Sequence, residues 1–111
     1  MSNKAVENAT QLILQSAQPA LLVELQGNNL LFSNPHCHTL LKQDREQLKN
    51  SETYLRIIKK AQQLAHKGLL FFNYEVFSGD NILLITAEIK DTLILIYLQK
   101  KLIFNMPSNQ L

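Results

Sequence analysis

The chain has 111 residues, of which 46% are hydrophobic and 18% charged, a composition typical of one soluble globular domain rather than of a disordered or fibrous chain. A formal net charge of +2 is too small to indicate a nucleic-acid surface, and the single cysteine excludes an internal disulfide. The polar N-terminus does not resemble a signal peptide, and no apolar run reaches the ~18 residues of a membrane span. We therefore expect a cytoplasmic domain that contacts neither nucleic acid nor membrane.

The first predicted element is an amphipathic helix over residues 4–17. Asn3 can cap it, Pro19 forbids its continuation, and small or apolar residues recur at three- and four-residue spacing. The recurring residues are Ala5, Ala9, Leu12, Ile13 and Ser16. Such a helix is marginal alone in water, so it must dock either on the chain's own sheet or on a second copy. We expect the second arrangement, with these five residues in a homodimer interface.

A β-hairpin is predicted next. Residues 20–26 alternate well enough for a strand, Gly27 provides a tight reversal, and Leu30–Ser33 returns as the second strand. Asn34 followed by Pro35 then predicts a helix that runs to about residue 42. The asparagine side chain can accept hydrogen bonds from the first turn, and proline at the first helical position gives up a donor that has no partner there.

The longest predicted helix begins after Ser51 and ends at Gly68, a residue suited to helix termination. A polar stretch over residues 43–50 is expected to lead into it. One apolar face is marked by Tyr54, Ile57, Ile58, Ala61, Leu64 and Ala65. This spacing predicts a helix that covers one side of a sheet.

Three antiparallel strands are predicted in the last third of the chain, over residues 69–77, 82–89 and 92–98. Residues 93–98 are apolar at every position, so this strand should be central and covered on both faces. Residues 99–111 are expected to extend the last strand and end in a polar tail.

The segment PALLVELQGNNLLFSNPHCHTLL resembles the opening of a PAS domain. In that family an apolar strand, a glycine-containing turn and a strand ending in an aromatic residue, a small residue and Asn-Pro lead into a short helix. Phe32, Ser33, Asn34 and Pro35 occupy those last positions. The resemblance covers residues 18–99 and extends to the three C-terminal strands.

Within the family, the helix close to the N-terminus and the spacing of AHKGLLFFNYEVFSGDNILLITAEIKDTLILIYL are most similar to the N-terminal sensory domains of NtrB-type histidine kinases. The resemblance implies an α+β PAS fold: a five-stranded antiparallel sheet of order 2-1-5-4-3, with helices on one face and an N-terminal amphipathic helix on the other face or in a dimer. The expected organisation is a helix at 1–17, a PAS domain at 18–99 and a tail at 100–111.

His36, Cys37 and His38 form the one cluster of chemically capable residues. Consecutive helical residues point about 100° apart, so these three side chains cannot converge on one zinc ion from a regular helix. Adjacent Cys37 and His38 likewise diverge too far for a nucleophile and base pair. We expect the triplet to lie on a surface helix, with Cys37 or its neighbours partly packed and the three side chains pointing outward in three directions. We also expect no enzyme activity.

The family also suggests two cofactors to consider. Some PAS relatives bind haem through a histidine in or near the longest helix, which makes His66 the residue to test, but a histidine in a last helical turn is already favoured by the helix dipole. Flavin-binding relatives place a cysteine in Asn-Cys-Arg-Phe-Leu, whereas Cys37 stands in His-Cys-His. We expect neither haem nor flavin, and no other cofactor.

A small-molecule pocket between the longest helix and the sheet is the remaining possibility, because PAS relatives bind ligands there. Its lining would be Ile58, Ala61, Leu64, Phe72 and Tyr74. These faces carry few polar groups, so we expect a packed core in preference to an open pocket.

The sequence thus predicts a sensory and dimerisation domain of a bacterial two-component histidine kinase, of the nitrogen-regulation type. It would regulate an output domain through its dimer interface. The alternatives are a PAS domain of a DNA-binding transcriptional regulator and an unrelated small α+β ligand-binding protein.

Overall fold

A computed structural model describes residues 3–27 and 29–101. In chain order the elements are α1 (Asn3–Gln15), β1 (Ala20–Glu24), β2 (Leu30–Ser33), α2 (Pro35–Leu41), α3 (Arg45–Lys49), α4 (Glu52–His66), β3 (Phe71–Ser78), β4 (Asn81–Lys90) and β5 (Leu93–Lys100). The cap predicted at the Asn3 side chain and the tail predicted beyond Lys101 lie outside the described residues.

The strands form one antiparallel sheet in the order β2-β1-β5-β4-β3. This confirms the predicted α+β class and the order 2-1-5-4-3. The long chain connection from β2 to β3 carries α2, α3 and α4 across one face of the sheet, while α1 contacts β1, β2 and β5 from the other face. Helices α2–α4 and helix α1 therefore cover opposite faces of the sheet within a single chain.

The sheet separates two hydrophobic cores. The inner core lies between the sheet and α2–α4, and its largest fully buried side chains are Leu21, Leu48, Tyr54, Ile57, Ile58, Ile85, Ile94 and Ile96. The outer core lies beneath α1 and consists of Ala9, Ile13, Ala20, Leu22, Leu93 and Leu95, with Val6, Leu31, Phe32 and Tyr97 packed against it.

Strand β5 belongs to both cores. Leu93 and Leu95 point into the outer core, whereas Ile94 and Ile96 point into the inner core. The prediction of a central strand covered on both faces is confirmed. It also explains why an alternating apolar and polar pattern is absent here, since neither face of this strand meets water.

Helix α1 ends at Gln15, two residues earlier than predicted. The Ser16 hydroxyl donates to the Gln18 carbonyl at 3.0 Å, and the Gln18 N–H donates back to Ser16 Oγ at 3.0 Å. This local pair of hydrogen bonds competes with continued helical bonding, so the chain turns before it reaches Pro19.

The expectation that residues 43–50 simply connect two helices was wrong, because α3 occupies most of them. Asp44 Oδ1 accepts from the Gln47 N–H at 2.8 Å, and Gln47 Oε1 accepts from the Asp44 N–H at 2.9 Å. This reciprocal capping box satisfies two donors at the start of the helix. The D-x-x-Q spacing was the signal for it, and Leu48 anchors the short helix in the inner core.

Strand β2 has its predicted limits, and the limits of the other strands differ from the predicted ones by at most two residues. Strand β1 ends at Glu24, where residues 25–27 begin to turn and Gly27 takes a φ of 88°. Strand β3 begins at Phe71 because the Leu69 N–H still donates to the Leu64 carbonyl, at 3.3 Å. Gly68, with a φ of 89°, allows that helix-ending turn, as predicted.

None of the helices in the described part of the chain is long and apolar enough to cross a membrane.

Candidate functional site

The side chain of Asn34 joins α1, β1 and α2 at one buried point. Its Oδ1 accepts from the backbone N–H groups of Ala20 and Cys37, each at 3.0 Å. Its Nδ2 donates to the carbonyls of Ile13 at 3.0 Å and Gln18 at 2.9 Å. The carboxamide is fully buried, which is tolerated because both its oxygen and its nitrogen are hydrogen-bonded. The last turn of α1 is therefore tied to the start of the sheet by one side chain.

The sequence predicted only part of this arrangement. The Asn-Pro pair correctly indicated that Asn34 caps α2, and the bond from the Cys37 N–H confirms it. The two donor bonds toward α1 were missed, because their acceptors are backbone carbonyls that are brought near by the fold of the N-terminal segment. No side chain in that segment marks them.

Cys37 does not point outward and is packed more deeply than the partial packing expected of it or its neighbours. It is fully buried in the inner core, since the first turn of α2 lies over the sheet. Burial raises the pKa of the Cys37 thiol from 9.0 to about 12. The thiol is accordingly protonated at neutral pH and behaves as a small apolar side chain.

His38 is also engaged within the fold. Its Nδ1 lies 2.8 Å from the Gln43 carbonyl, which can only accept, so the ring hydrogen sits on Nδ1. Its Nε2 lies 2.8 Å from Ser33 Oγ, which then donates to it. His36 alone of the triplet is exposed. The three side chains diverge as predicted, and within residues 3–27 and 29–101 no three His, Cys, Asp or Glu side chains lie close enough to hold a metal ion.

His66 ends α4 as an exposed residue, one position before the helix cap. An exposed imidazole at the helix end matches the expected role near the negative end of the helix dipole. It does not face the inner core, where an enclosed haem would have to lie.

The predicted pocket residues all lie in the inner core. Ile58, Ala61 and Phe72 are buried there, and Leu64 and Tyr74 are packed against them. The phenol of Tyr74 spans the space between sheet and helix, and the Phe72 ring stacks near it with centroids 6.0 Å apart. Side chains therefore occupy the position where a ligand pocket was considered.

The predicted dimer stripe divides into buried and exposed members. Ala9 and Ile13 are 3% and 0% exposed because they cover the chain's own sheet. Ala5 and Ser16 are half-buried, and Leu12 is 46% exposed. A single chain does not test an interface between copies, so the dimer stays a prediction, but Ala9 and Ile13 already serve the outer core.

The most exposed large apolar side chains lie elsewhere, along β3 and just before it. Leu70, Phe77 and Phe71 are 67%, 66% and 63% exposed. A shallow cleft of about 440 Å³ borders this edge, lined by Arg56, Lys60, Glu75, Val76 and Phe77. This edge was not predicted as a site from the sequence. Its signal was the alternation of β3, in which every second residue faces away from the inner core.

No protein-family model and no curated protein matches the sequence. Several solved structures resemble the fold at low identity, and three of them illustrate the likeness. The RsLOV d2 variant has a TM-score of 0.65 and 12% identity, over 90% of this chain and 68% of that chain. The LOV protein of Rhodobacter sphaeroides has a TM-score of 0.61 and 11% identity, over 99% and 72%.

The third structure is the photoactive yellow protein domain from the sensor histidine kinase Ppr of Rhodospirillum centenum. It has a TM-score of 0.56 and 11% identity, and the match covers 90% of this chain and all of that domain. LOV and photoactive yellow protein domains are PAS-fold proteins, so the likeness establishes the fold that the sequence resemblance implied. At these identities it extends to the fold alone.

Proposed function

We propose that this chain is the sensory and dimerisation PAS domain of a bacterial two-component histidine kinase, of the NtrB nitrogen-regulation type. It acts in the cytoplasm, carries no enzyme activity of its own, and regulates an output domain by shifting the contacts between two copies. The structural likeness to a domain of a sensor histidine kinase supports the kinase context, and the PAS fold makes an unrelated α+β protein untenable.

The observation that carries the proposal is the Asn34 junction. Four hydrogen bonds from one buried side chain fix the end of α1 relative to β1 and α2. A displacement of the helix must break or move these bonds together, because both ends of the same carboxamide are used. A signal that moves the sheet is in this way passed to the N-terminal helix, and the reverse also holds.

The packed inner core supports a signal that arrives at the surface. Tyr74 and the apolar face of α4 fill the space in which a PAS ligand would lie. We infer that the input is contact with a partner protein or a small molecule at the surface rather than an enclosed cofactor.

A graft tests the proposed output. The chain replaces the sensory PAS domain of an NtrB-type kinase, and the rate of autophosphorylation is compared with that of the kinase module alone. We expect the graft to restore a rate that the module lacks, because paired copies bring two kinase modules together.

The second candidate is a PAS domain that controls a DNA-binding regulator, which the same fold supports. In a parallel graft the chain is fused to a monomeric DNA-binding domain, and binding to a two-half-site operator is measured. Regulation of the operator fusion together with an inert kinase graft would favour the regulator and contradict the kinase proposal.

A further inference from the structure

We propose that two copies of this chain pair antiparallel through their β3 strands, which joins their sheets into one continuous sheet across a two-fold axis. This inference rests on the proposed homodimer and names its interface, which differs from the α1 stripe expected from the sequence. The interface is the open edge of the sheet at residues 71–77.

The phase of the β3–β4 ladder determines which backbone groups of β3 are available. The Ile89 N–H donates to the Leu70 carbonyl at 2.8 Å, so the even-numbered residues of β3 exchange hydrogen bonds with β4. The N–H and C=O groups of Phe71, Asn73 and Glu75 consequently point away from β4. The bond from Arg56 Nη1 to the Phe77 carbonyl, 3.1 Å, confirms that this odd-numbered residue faces outward too.

The two edges of the sheet differ in how they are protected. Strand β2 has four residues, and its pairing with β1 is irregular. Each edge strand has one carbonyl that accepts from an arginine, Leu30 from Arg45 at 2.7 Å and Phe77 from Arg56 at 3.1 Å, so these contacts do not distinguish the edges. Strand β3 has eight residues in unbroken register and contains no proline and no lysine. Natural monomers usually blunt such an edge with bulges, prolines or lysines, so a long regular edge is suited to strand addition.

The side chains of β3 favour a second copy as the added strand. Pairing centred on Tyr74 places Phe71 opposite the second copy's Phe77, and Asn73 opposite its Glu75. Every outward-pointing backbone group then lies opposite another one, and the Phe77 carbonyl, which already accepts from Arg56, would accept a second hydrogen bond from the Phe71 N–H of the second copy. A centre at Asn73 would instead set Phe71 against Glu75, and a centre at Glu75 would set two carboxylates face to face, which is unfavourable.

Contacts within each chain already orient Asn73 and Glu75 for this pairing. The Thr86 hydroxyl donates to Asn73 Oδ1 at 2.9 Å, which fixes the carboxamide with its oxygen toward β4. Among the described residues Asn73 Nδ2 has no acceptor, so it can donate to a carboxylate across the edge. Lys101 Nζ lies 3.0 Å from Glu75 Oε2 and offsets the charge of that carboxylate. Each two-fold dimer would contain this pair twice.

Charge exchange at the paired phenylalanines tests both the interface and its register. The full chain is studied by sedimentation equilibrium as the unmodified protein and as two double variants. In Phe71→Lys/Phe77→Lys, like charges face each other at both ends, and we expect the dimer to weaken by about tenfold or more. In Phe71→Lys/Phe77→Glu, opposite charges face each other, and dimerisation should return to within a few-fold of the unmodified chain.

Leu12→Lys is the matched control, because it adds a charge to an exposed apolar residue on α1 instead of β3. We expect it to leave the dimer unchanged. Because Leu12, Phe71 and Phe77 are all exposed, we expect each variant to keep the fold. Circular dichroism and the thermal unfolding midpoint check this.

Three results would overturn the inference: an unmodified chain that remains monomeric, loss of the dimer on Leu12→Lys alone, or a charge exchange that fails to restore what the double lysine variant removes. Loss of the dimer on Leu12→Lys would place the interface at α1 and leave the proposed sensory function intact. Failure of the kinase graft, by contrast, would contradict that function without affecting a dimer seen by sedimentation.

Discussion

The hydroxyl of Tyr74 on β3 donates a 2.6 Å hydrogen bond to the backbone carbonyl of Ile57 in α4. The bond joins the sheet directly to the helix that covers it. Burial raises the pKa of the Tyr74 phenol above its usual range, so the hydroxyl keeps its hydrogen and remains a donor. A side chain that was considered as pocket lining instead closes the space between the two layers.

Removing this hydroxyl should cost stability without altering the fold. We expect Tyr74→Phe to lower the free energy of unfolding by about 1 kcal/mol, the usual net contribution of one hydrogen bond. Urea denaturation measures it as a lower midpoint at an unchanged slope. Tyr97→Phe is the control, since its hydroxyl has no partner among the described residues; its midpoint should hardly move. Equal shifts for both variants would contradict the role given to Tyr74.

The Asn34 junction predicts a larger loss. Asn34→Ala removes the cap of α2, the bond to Ile13 in α1 and the bonds to Gln18 and Ala20. We therefore expect a loss of about 3 kcal/mol, the sum of a helix cap and two or more buried hydrogen bonds. The substitution should also increase the rate of amide hydrogen exchange more in α1 than in β4. Asp44→Ala, which removes the exposed cap of α3, should cost only about 1 kcal/mol. Similar losses for the two variants would argue against the junction.

The buried thiol predicts slow alkylation. Cys37 is fully buried and protonated at neutral pH, and the thiolate is the reactive form. Iodoacetamide at neutral pH should therefore modify the folded chain far more slowly than the chain in denaturant, as followed by mass spectrometry. Equally fast modification in both conditions would place Cys37 at the surface and contradict the position of α2.

Alkaline pH should destabilise the fold. Burial raises the pKa of Cys37 from 9.0 and of Tyr54 from 10.0, each to about 12, and raises that of Tyr74 as well. In the unfolded chain these groups lose their protons near their ordinary values, while the folded chain retains them. The unfolded state thus binds fewer protons, and stability falls as the pH rises.

The loss should begin near pH 9 and approach about 1.4 kcal/mol per pH unit for each group that titrates only in the unfolded state. Urea midpoints measured from about pH 8 to pH 11 would show it. In Cys37→Ala the decline should start about one pH unit later, because only the tyrosines remain. A flat profile over this range would contradict the burial of all three groups.

The fold was predictable because several local signals agreed with one another. Asn34-Pro35 indicated the start of α2, Gly68 indicated the end of α4, and the doubly apolar run at residues 93–98 placed β5 in the centre of the sheet. The family resemblance then gave the strand order, which no local pattern contains. Helix α3 could have been found as well, since Asp44 and Gln47 have capping-box spacing.

The candidate site was less predictable, because it depends on which surfaces the fold covers. The α1 stripe was consistent with either a second copy or the chain's own sheet, and only the tertiary structure assigns Ala9 and Ile13 to the sheet. Burial of Cys37 depends similarly on how α2 lies over β1. The Asn34 side chain donates to backbone carbonyls, which every residue has, so no residue type in the sequence indicates these bonds.

The proposed signalling role and the β3 interface both require self-association, and sedimentation equilibrium of the unmodified full chain measures this over a range of concentrations. We predict a reversible equilibrium between the 12.7 kDa chain and a species of twice that mass, with the dimer dominant at the upper concentrations. A single species of 12.7 kDa at every concentration would contradict both the homodimer and the β3 interface.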